Sequence, residues 1–424
     1  MTVKCDEVIQ YIKKFSLKGQ NISLHEDISK TKLDHILIDG KRYTQFINEF
    51  WSSKQRQGSS IHEISYRACF KPGLPNFFIE LLTEEGDTVY DPFSGRGTTA
   101  VEAGLLGRNI ISNDINPLSK ILTKPRFFIP KFKDVKERLC QIHLDTKIKA
   151  DLDLSMFYHP KTEGELVSLR HYLNERQNNN EEDNLDAWIR MVATTRLAGH
   201  SKGFFSVYTL PPNQAVSQER QIKINCERNQ KPEYRDIRKL ILRKSRSLIR
   251  NVKDQEIENL YNAGIKGVFM DADARETYFI EDETVDLTVT SPPFLDVVQY
   301  HKDNWLRCWF NAINSEQVSK KITMSRTVED WCAVMQDVFY ELYRITKKDG
   351  WVAFEVGEVR GGKIKLDEYV VPLGINAGFS CVGILINSQE FTKTSNIWGV
   401  KNNNYGTNTN RVVLFVKGGG GGIS

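Results

Sequence analysis

The stretch Asp91-Pro92-Phe93-Ser94-Gly95-Arg96-Gly97-Thr98-Thr99 constrains the fold more than any other part of the chain. An apolar run, Thr88-Val89-Tyr90, leads into it, and Val101-Glu102-Ala103-Gly104-Leu105-Leu106 leads out at helical spacing. The order reads as strand, glycine turn, helix. Gly95 and Gly97 omit side chains where backbone must pass close to a ligand. The helix start offers unpaired N–H groups, and Asp91 falls at the carboxyl end of the strand, where open α/β sheets bind ligands. In outline this is a nucleotide-like cofactor site.

A second β-branched run, Asn109-Ile110-Ile111-Ser112-Asn113, ends in Asp114. Its distance from the glycines, roughly 20 residues, is that at which an acid accepts hydrogen bonds from ribose hydroxyls. Just ahead of the glycine strand, Lys71-Pro72-Gly73-Leu74-Pro75 reads as a turn before a helix that starts near Asn76. The α/β alternation lapses between 118 and 260. It resumes at Lys266–Asp273, Thr284–Thr290 and Gly350–Val356, and the runs 380–386 and 410–416 close the sheet as an antiparallel pair. Residues 1–60 read as a helical extension, in which Phe46, Ile47, Phe50 and Trp51 share the spacing of a docking helix.

A chain of 424 residues can bury a large core and suggests two or three domains. The formal net charge of +4 establishes no nucleic-acid partner by itself. Seven cysteines without a CxxC pair argue against a disulfide framework or a zinc site and favour a reducing, intracellular compartment. No apolar run is long enough for a membrane span, and the glycines from 418 onward read as a flexible tail over 418–424. One local charge pattern stands out. Between Arg228 and Arg250 nine cations, among them Arg235, Arg238, Lys239, Arg243 and Lys244, face only Glu233 and Asp236. Ile237, Leu240, Ile241 and Leu248 add an apolar stripe, so the segment is either a solvated helix face or a contact for a phosphate backbone.

The strand at Thr284–Thr290 runs into Ser291-Pro292-Pro293-Phe294. Two prolines there cannot extend a hydrogen-bonded ladder; they hold the Ser291 hydroxyl, the Pro292 carbonyl and the Phe294 ring in set directions. Alone, the motif also admits a blander reading as a stiff turn with a core phenylalanine, and Asp296 reads as a helix cap. Together with Asp91–Thr99 it resembles the amino-methyltransferases that modify exocyclic nitrogens of DNA bases. That family pairs a D-P-F-x-G-x-G-T-T cofactor motif with an [S/D/N]-P-P-[Y/F] catalytic motif. The resemblance covers roughly residues 61–120 and 265–417.

The resemblance implies an α/β fold with a Rossmann-like class I methyltransferase sheet, mostly parallel with one antiparallel strand near the C-terminus. It implies a first methyltransferase part at 61–120, an inserted target-recognition region at 121–262 and a second part at 263–417. It implies S-adenosylmethionine as cofactor, bound by Lys71, Pro72, Asp91, Pro92, Phe93, Gly95, Gly97, Thr98, Asp114 and Ile115, with either Asp271 or Asp273 by the adenine amino group. Ser291, Pro292, Pro293 and Phe294 would hold the flipped target base, and Arg235, Arg238, Lys239, Arg243 and Lys244 would contact double-stranded DNA. Neither a metal nor a membrane is implied, and a restriction endonuclease acting separately is an allowed partner of a cytoplasmic, prokaryotic enzyme.

Serine as the first residue of the catalytic motif favours cytosine N4, whereas Asp or Asn is more usual for adenine N6. No cysteine follows a proline, which argues against carbon-5 chemistry. The alternatives are adenine N6 transfer, an RNA or tRNA guanine-N2 enzyme, and an inactive fold that only binds DNA. A nicotinamide dehydrogenase leaves Ser291–Phe294 without a purpose.

Overall fold

The apolar runs assemble into one nine-stranded mixed sheet and a two-stranded ladder in the computed structural model of the chain. It describes residues 4–17, 31–52, 58–66, 69–210, 215–293, 300–321, 327–359, 364–388 and 409–418. Phe294, Asp296 and the tail from 419 lie outside the described residues. The strands are β1 (Lys32–Ile38), β2 (Lys41–Asn48), β3 (Thr88–Asp91), β4 (Asn109–Asn113), β5 (Val268–Met270), β6 (Val285–Thr290), β7 (Thr346–Val356), β8 (Glu358–Val359), β9 (Ile364–Lys365), β10 (Phe379–Ser388) and β11 (Thr409–Lys417). Helices α1 (Cys5–Lys14), α2 (Gly73–Leu82), α3 (Thr98–Leu105) and α4 (Leu118–Thr123) occupy the first part of the chain. The middle of the chain forms α5 (Phe132–Gln141), α6 (Pro160–Asn178), α7 (Asn184–Thr194), α8 (Gln218–Glu227), α9 (Ile237–Ile249) and α10 (Asp254–Lys266). After these come α11 (Tyr300–Phe310), α12 (Ser315–Lys321), α13 (Val328–Ile345) and α14 (Asp367–Ala377).

The strand order is β1-β2-β10-β11-β7-β6-β3-β4-β5. Strands β5, β4, β3, β6 and β7 run parallel, and β11 is antiparallel to both β7 and β10. The chain lays β4 and β5 on one side of β3, then returns to place β6 and β7 on the other. The reversal between β3 and β6 is a topological switch point, where open α/β sheets form their ligand crevice. Along β7, Trp351 and Ala353 feed one core cluster while Val352, Phe354 and Val356 feed the other. Both faces of the sheet are therefore buried, as alternation along a strand requires.

Two expectations are corrected. The N-terminal region is not wholly helical. After α1, residues 32–48 form a hairpin whose second strand joins β10 in parallel, pairing Gln45 with Ile384 and Asn48 with Asn387. Asp39 and Gly40 turn it at φ 48° and 75°, the positive values that an Asp-Gly turn supplies. Phe46 sits in β2 against Gly383, where a Cβ would come within 2.6 Å of its ring. Phe50 and Trp51 lie past the strand, and their N–H groups donate to Asn387 Oδ1 at 2.8 and 3.2 Å. The spacing that suggested a helix there is coincidental. The expected boundary at 262 falls inside α10. Helix α10 packs on α3 and β4 as the crossover helix between β4 and β5, so a boundary at 262 would cut through it. Leu260 and Gly264 of α10 face Gly104 and Phe127 at close approach.

Candidate active site

Strands β3 and β6 deliver the two motifs to one crevice. They pair through Val89 with Leu287 and Tyr90 with Thr288. Just beyond, Thr290 Oγ1 donates to Asp91 Oδ1 at 2.6 Å, and Phe93 N donates to the same oxygen at 3.1 Å. Asp91 is 1% exposed. Burial raises its carboxyl pKa to about 7 against the opposing pull of these hydrogen bonds.

A pocket of about 910 Å³, counted to its open mouth, lies over this junction. Phe93, Gly95, Asp114 and Ile115 line one side, Ser291 and Pro293 another, and Trp331, Met335 and Val338 of α13 a third. Asp114 Oδ2 accepts from Gly95 N at 2.8 Å, and its Oδ1 accepts from Asn116 N at 2.9 Å. Burial pushes its pKa to about 6. Asn113 was not singled out in the sequence, yet it clips the next loop in place. Its Oδ1 accepts from Ala272 N at 2.9 Å, and its Nδ2 donates to Ala272 O at 3.0 Å. The clip leaves Asp271 exposed and turns Asp273 into the pocket lining. Arg275 donates to both oxygens of Asp273, at 3.0 and 2.6 Å, and holds its pKa below the usual value.

Ser291 is half-buried and reaches Glu355, which it hydrogen-bonds. Glu355 is 5% exposed near the end of β7, and burial raises its pKa. It also accepts from Asn410 Nδ2 at 2.8 Å. The sequence reading passed over it; the signal was a lone acid in the run Trp351–Val356. The Trp331 indole donates to Pro293 O at 3.0 Å and fixes the proline turn from α13.

Other expected residues lie elsewhere. Gly97 does not line the pocket. It adopts φ 71°, and a Cβ there would overlap the Thr123 side chain. The close approach that requires glycine at 97 is to Thr123. Thr98 is 2% exposed, and its hydroxyl accepts from Arg96 Nε at 3.2 Å. Lys71 and Pro72 line a separate cleft with Trp51, Asn76 and Glu102.

The basic segment divides in two. Arg235 donates to the carbonyls of Ser201, Phe204 and Ser206, and Arg238 to those of Leu139 and Ile142. Both guanidinium groups are taken up by backbone carbonyls of the middle part of the chain. Lys239, paired with Asp236, and Arg243, which donates one hydrogen bond to the Lys202 carbonyl at 3.0 Å, are exposed, and Lys244 is half-buried.

Among the described residues, no helix is long and apolar enough to cross a membrane, and no group of three or more His, Cys, Asp or Glu is placed to hold a metal ion.

Comparison with known proteins adds a sequence relationship. Residues 6–123, which include the glycine turn, match the family model described as DNA methylase. The Type II methyltransferase M.BsoBI of Geobacillus stearothermophilus is 24% identical over 372 residues, covering 80% of this chain and 70% of that protein. M.MvaI of Kocuria varians, also a Type II methyltransferase, is 34% identical over 98 residues, 22% of this chain and 20% of its own. Among solved structures, the rRNA methyltransferase aviRa of Streptomyces viridochromogenes is similar over 87% of this chain and 94% of its own. Its sequence identity is 11% and its TM-score 0.34, a likeness too slight to carry a functional argument.

Proposed function

Taking as premise a DNA amino-methyltransferase with S-adenosylmethionine as cofactor, which the family match and the Type II relatives support, we propose that the protein methylates the exocyclic N4 of cytosine in double-stranded DNA. The observation that carries the proposal is the Thr290–Asp91 bond, which seats Ser291 at the cofactor pocket.

The donor set fits the cofactor. Ile115, Met335 and Val338 offer an apolar slot for a purine ring, Asp114 carboxylate oxygens for ribose hydroxyls, and Asp273 an acceptor for an amino group. Asp91, 1% exposed and adjacent in sequence to the lining residues Pro92 and Phe93, would set negative charge at the end of β3 against the cationic methionine portion. When bound, the cofactor supplies an electrophilic methyl group on a sulfonium.

The target base must leave the duplex to reach the pocket, at a cost of a few kcal/mol. The Ser291 hydroxyl donates its hydrogen bond to Glu355, so its lone pairs are free to accept from the cytosine amine. Pro292 is itself buried and outside the pocket lining; its carbonyl would be a second acceptor once the base has entered. Two acceptors draw the N–H bonds out of the ring plane and localise the nitrogen lone pair for in-line attack. The pocket wall needs no nucleophilic side chain for this reaction. Phe294 follows in the motif and would stack on the base. Serine rather than aspartate at the head of the motif favours cytosine over adenine.

The test is incubation with plasmid DNA and S-adenosylmethionine, followed by nucleoside mass spectrometry. N4-methylcytosine is expected. N6-methyladenine would move the assignment to the adenine enzymes, and no methylated nucleoside in DNA would overturn it.

A further inference from the structure

The segment Glu63–Tyr66 runs from the insertion into the pocket, and cations collect along it. Tyr66 lines the pocket and lies beside Gly95. One residue earlier, Ser65 is held by two arginines: its hydroxyl accepts from Arg196 Nη2 at 3.3 Å and its carbonyl from Arg307 Nη2 at 3.0 Å. Arg250 grips both carboxylate oxygens of Glu63. Arg307 and Arg243 stand close enough to Arg196 to help burial lower its pKa to about 10. Burial, with Arg196 and Arg250 nearby, lowers that of Lys244 to about 8 against the pull of Glu63. Among the described residues, neither Arg196 nor Lys244 forms an ion pair with a carboxylate.

Arg196 is built as a fixed fork rather than a mobile surface charge. It is 9% exposed. Its guanidinium lies 4.1 Å over the Phe204 ring, and Nε donates to the Thr195 carbonyl at 2.9 Å. Arg235, by donating to the carbonyls of Ser201, Phe204 and Ser206, braces the loop that carries that ring. Nη1 of Arg196 has no hydrogen-bond acceptor among the described residues. A planar fork held in this way matches phosphate oxygens, and a half-buried lysine beside two arginines, whose one nearby carboxylate, Glu63, is already gripped by Arg250, gains from a further anion. Lys239, Arg243, Arg246 and Arg250 recur along α9 at helical spacing, and all four are exposed. Lys239 pairs with Asp236 and Arg250 with Glu63, while Arg243 and Arg246 have no carboxylate partner among the described residues; the row spans about 16 Å, the length of a polyanion rather than of a single small ion.

We propose that Arg196 and Lys244, with Arg243 at the rim, hold a backbone phosphate of the DNA strand that delivers its base past Tyr66 into the pocket. This rests on the DNA methyltransferase reading above. It separates the basic segment into braces, Arg235 and Arg238, and a phosphate clasp whose central residue, Arg196, lies outside that segment.

The experiment measures binding of a fluorescein-labelled DNA duplex of mixed sequence by the full chain across a salt series. Wild type, Arg196→Gln, Lys244→Gln and Lys223→Gln are compared; Lys223 is an exposed cation on α8 paired with Glu227. S-adenosylmethionine affinity and melting temperature report on folding. Each clasp variant should lower the slope of log K against log salt by about 0.9, the value for one lost phosphate contact, and Lys223→Gln should leave it unchanged. Should Arg196→Gln fail to fold, Lys244→Gln decides. Clasp variants that keep the wild-type slope while wild type binds DNA would overturn the clasp alone. A wild type that takes up S-adenosylmethionine but shows no salt-dependent DNA binding would overturn the underlying reading.

Discussion

Replacing Asp91 with Asn separates charge from shape at the centre of the site. Asn keeps an oxygen that can accept from Thr290 Oγ1 and Phe93 N, so the bond between β3 and β6 survives. What it loses is the negative charge that the proposed function sets against the cofactor's cationic end. A hydrogen bond to a charged group contributes about 1.5–3 kcal/mol and a neutral one about 0.5–1.5. The expected loss is therefore about 1–2 kcal/mol, or a roughly 5- to 30-fold weaker affinity for S-adenosylmethionine. Because Asp91 titrates at about 7, the penalty depends on pH. Near pH 5.5 the wild-type carboxyl is itself mostly protonated and the two proteins should bind alike; near pH 8 the full difference should appear.

Stability runs the other way. The folded pKa lies above the usual value of 3.8, so between pH 4 and 7 the folded state holds a proton that the unfolded state has lost. The contribution of Asp91 to stability thus falls as pH rises through that window. Three pKa units correspond to at most about 4 kcal/mol for so buried a group. Without cofactor, Asp91→Asn should melt higher than wild type at pH 8, by a smaller margin at pH 5.5, and converge with it only near pH 4. Calorimetric titration and thermal melts across this range are the assays. A pH-independent affinity ratio, or a melting difference that does not change with pH, would refute the reasoning.

Gly97→Ala should destabilise the fold by about 2–5 kcal/mol, combining a left-handed φ with an overlap on Thr123; an unchanged melting temperature would count against it. Ser291→Ala should keep cofactor affinity and lose methyl transfer, and Glu355→Gln should lose part of it, since an amide oxygen accepts more weakly from the Ser291 hydroxyl than a carboxylate does; an assay of methyl incorporation beside cofactor titration reads both. Lys244 faces Arg196, Arg250 and Glu63, and its pKa of about 8 means that its charge is lost as pH rises through that value. DNA affinity should therefore weaken between pH 7 and 9 in wild type and much less in Lys244→Gln, as measured by anisotropy.

Local pattern carried much of the fold. Thr88–Asp91, Asn109–Asn113 and Val285–Thr290 are apolar runs bounded by turn residues, and a run of that kind pairs with a neighbour wherever the chain places it. The hairpin at 32–48 was less legible. Apolar residues 46, 47, 50 and 51 satisfy a helical spacing by accident, and the Asp39-Gly40 turn is a two-residue signal. The basic segment misled in another way: a count of cations cannot tell a guanidinium that holds carbonyls, as in Arg235 and Arg238, from one turned outward.

The chain by itself determined that a glycine turn and a Ser-Pro-Pro turn each follow a strand, because turn chemistry and strand periodicity act over a few residues. Only the tertiary structure decided that the two turns share a crevice. That depends on β3 lying beside β6 across the reversal of strand order. The partners of Ser291 and Ser65, namely Glu355, Arg196 and Arg307, are brought to them only when distant segments pack.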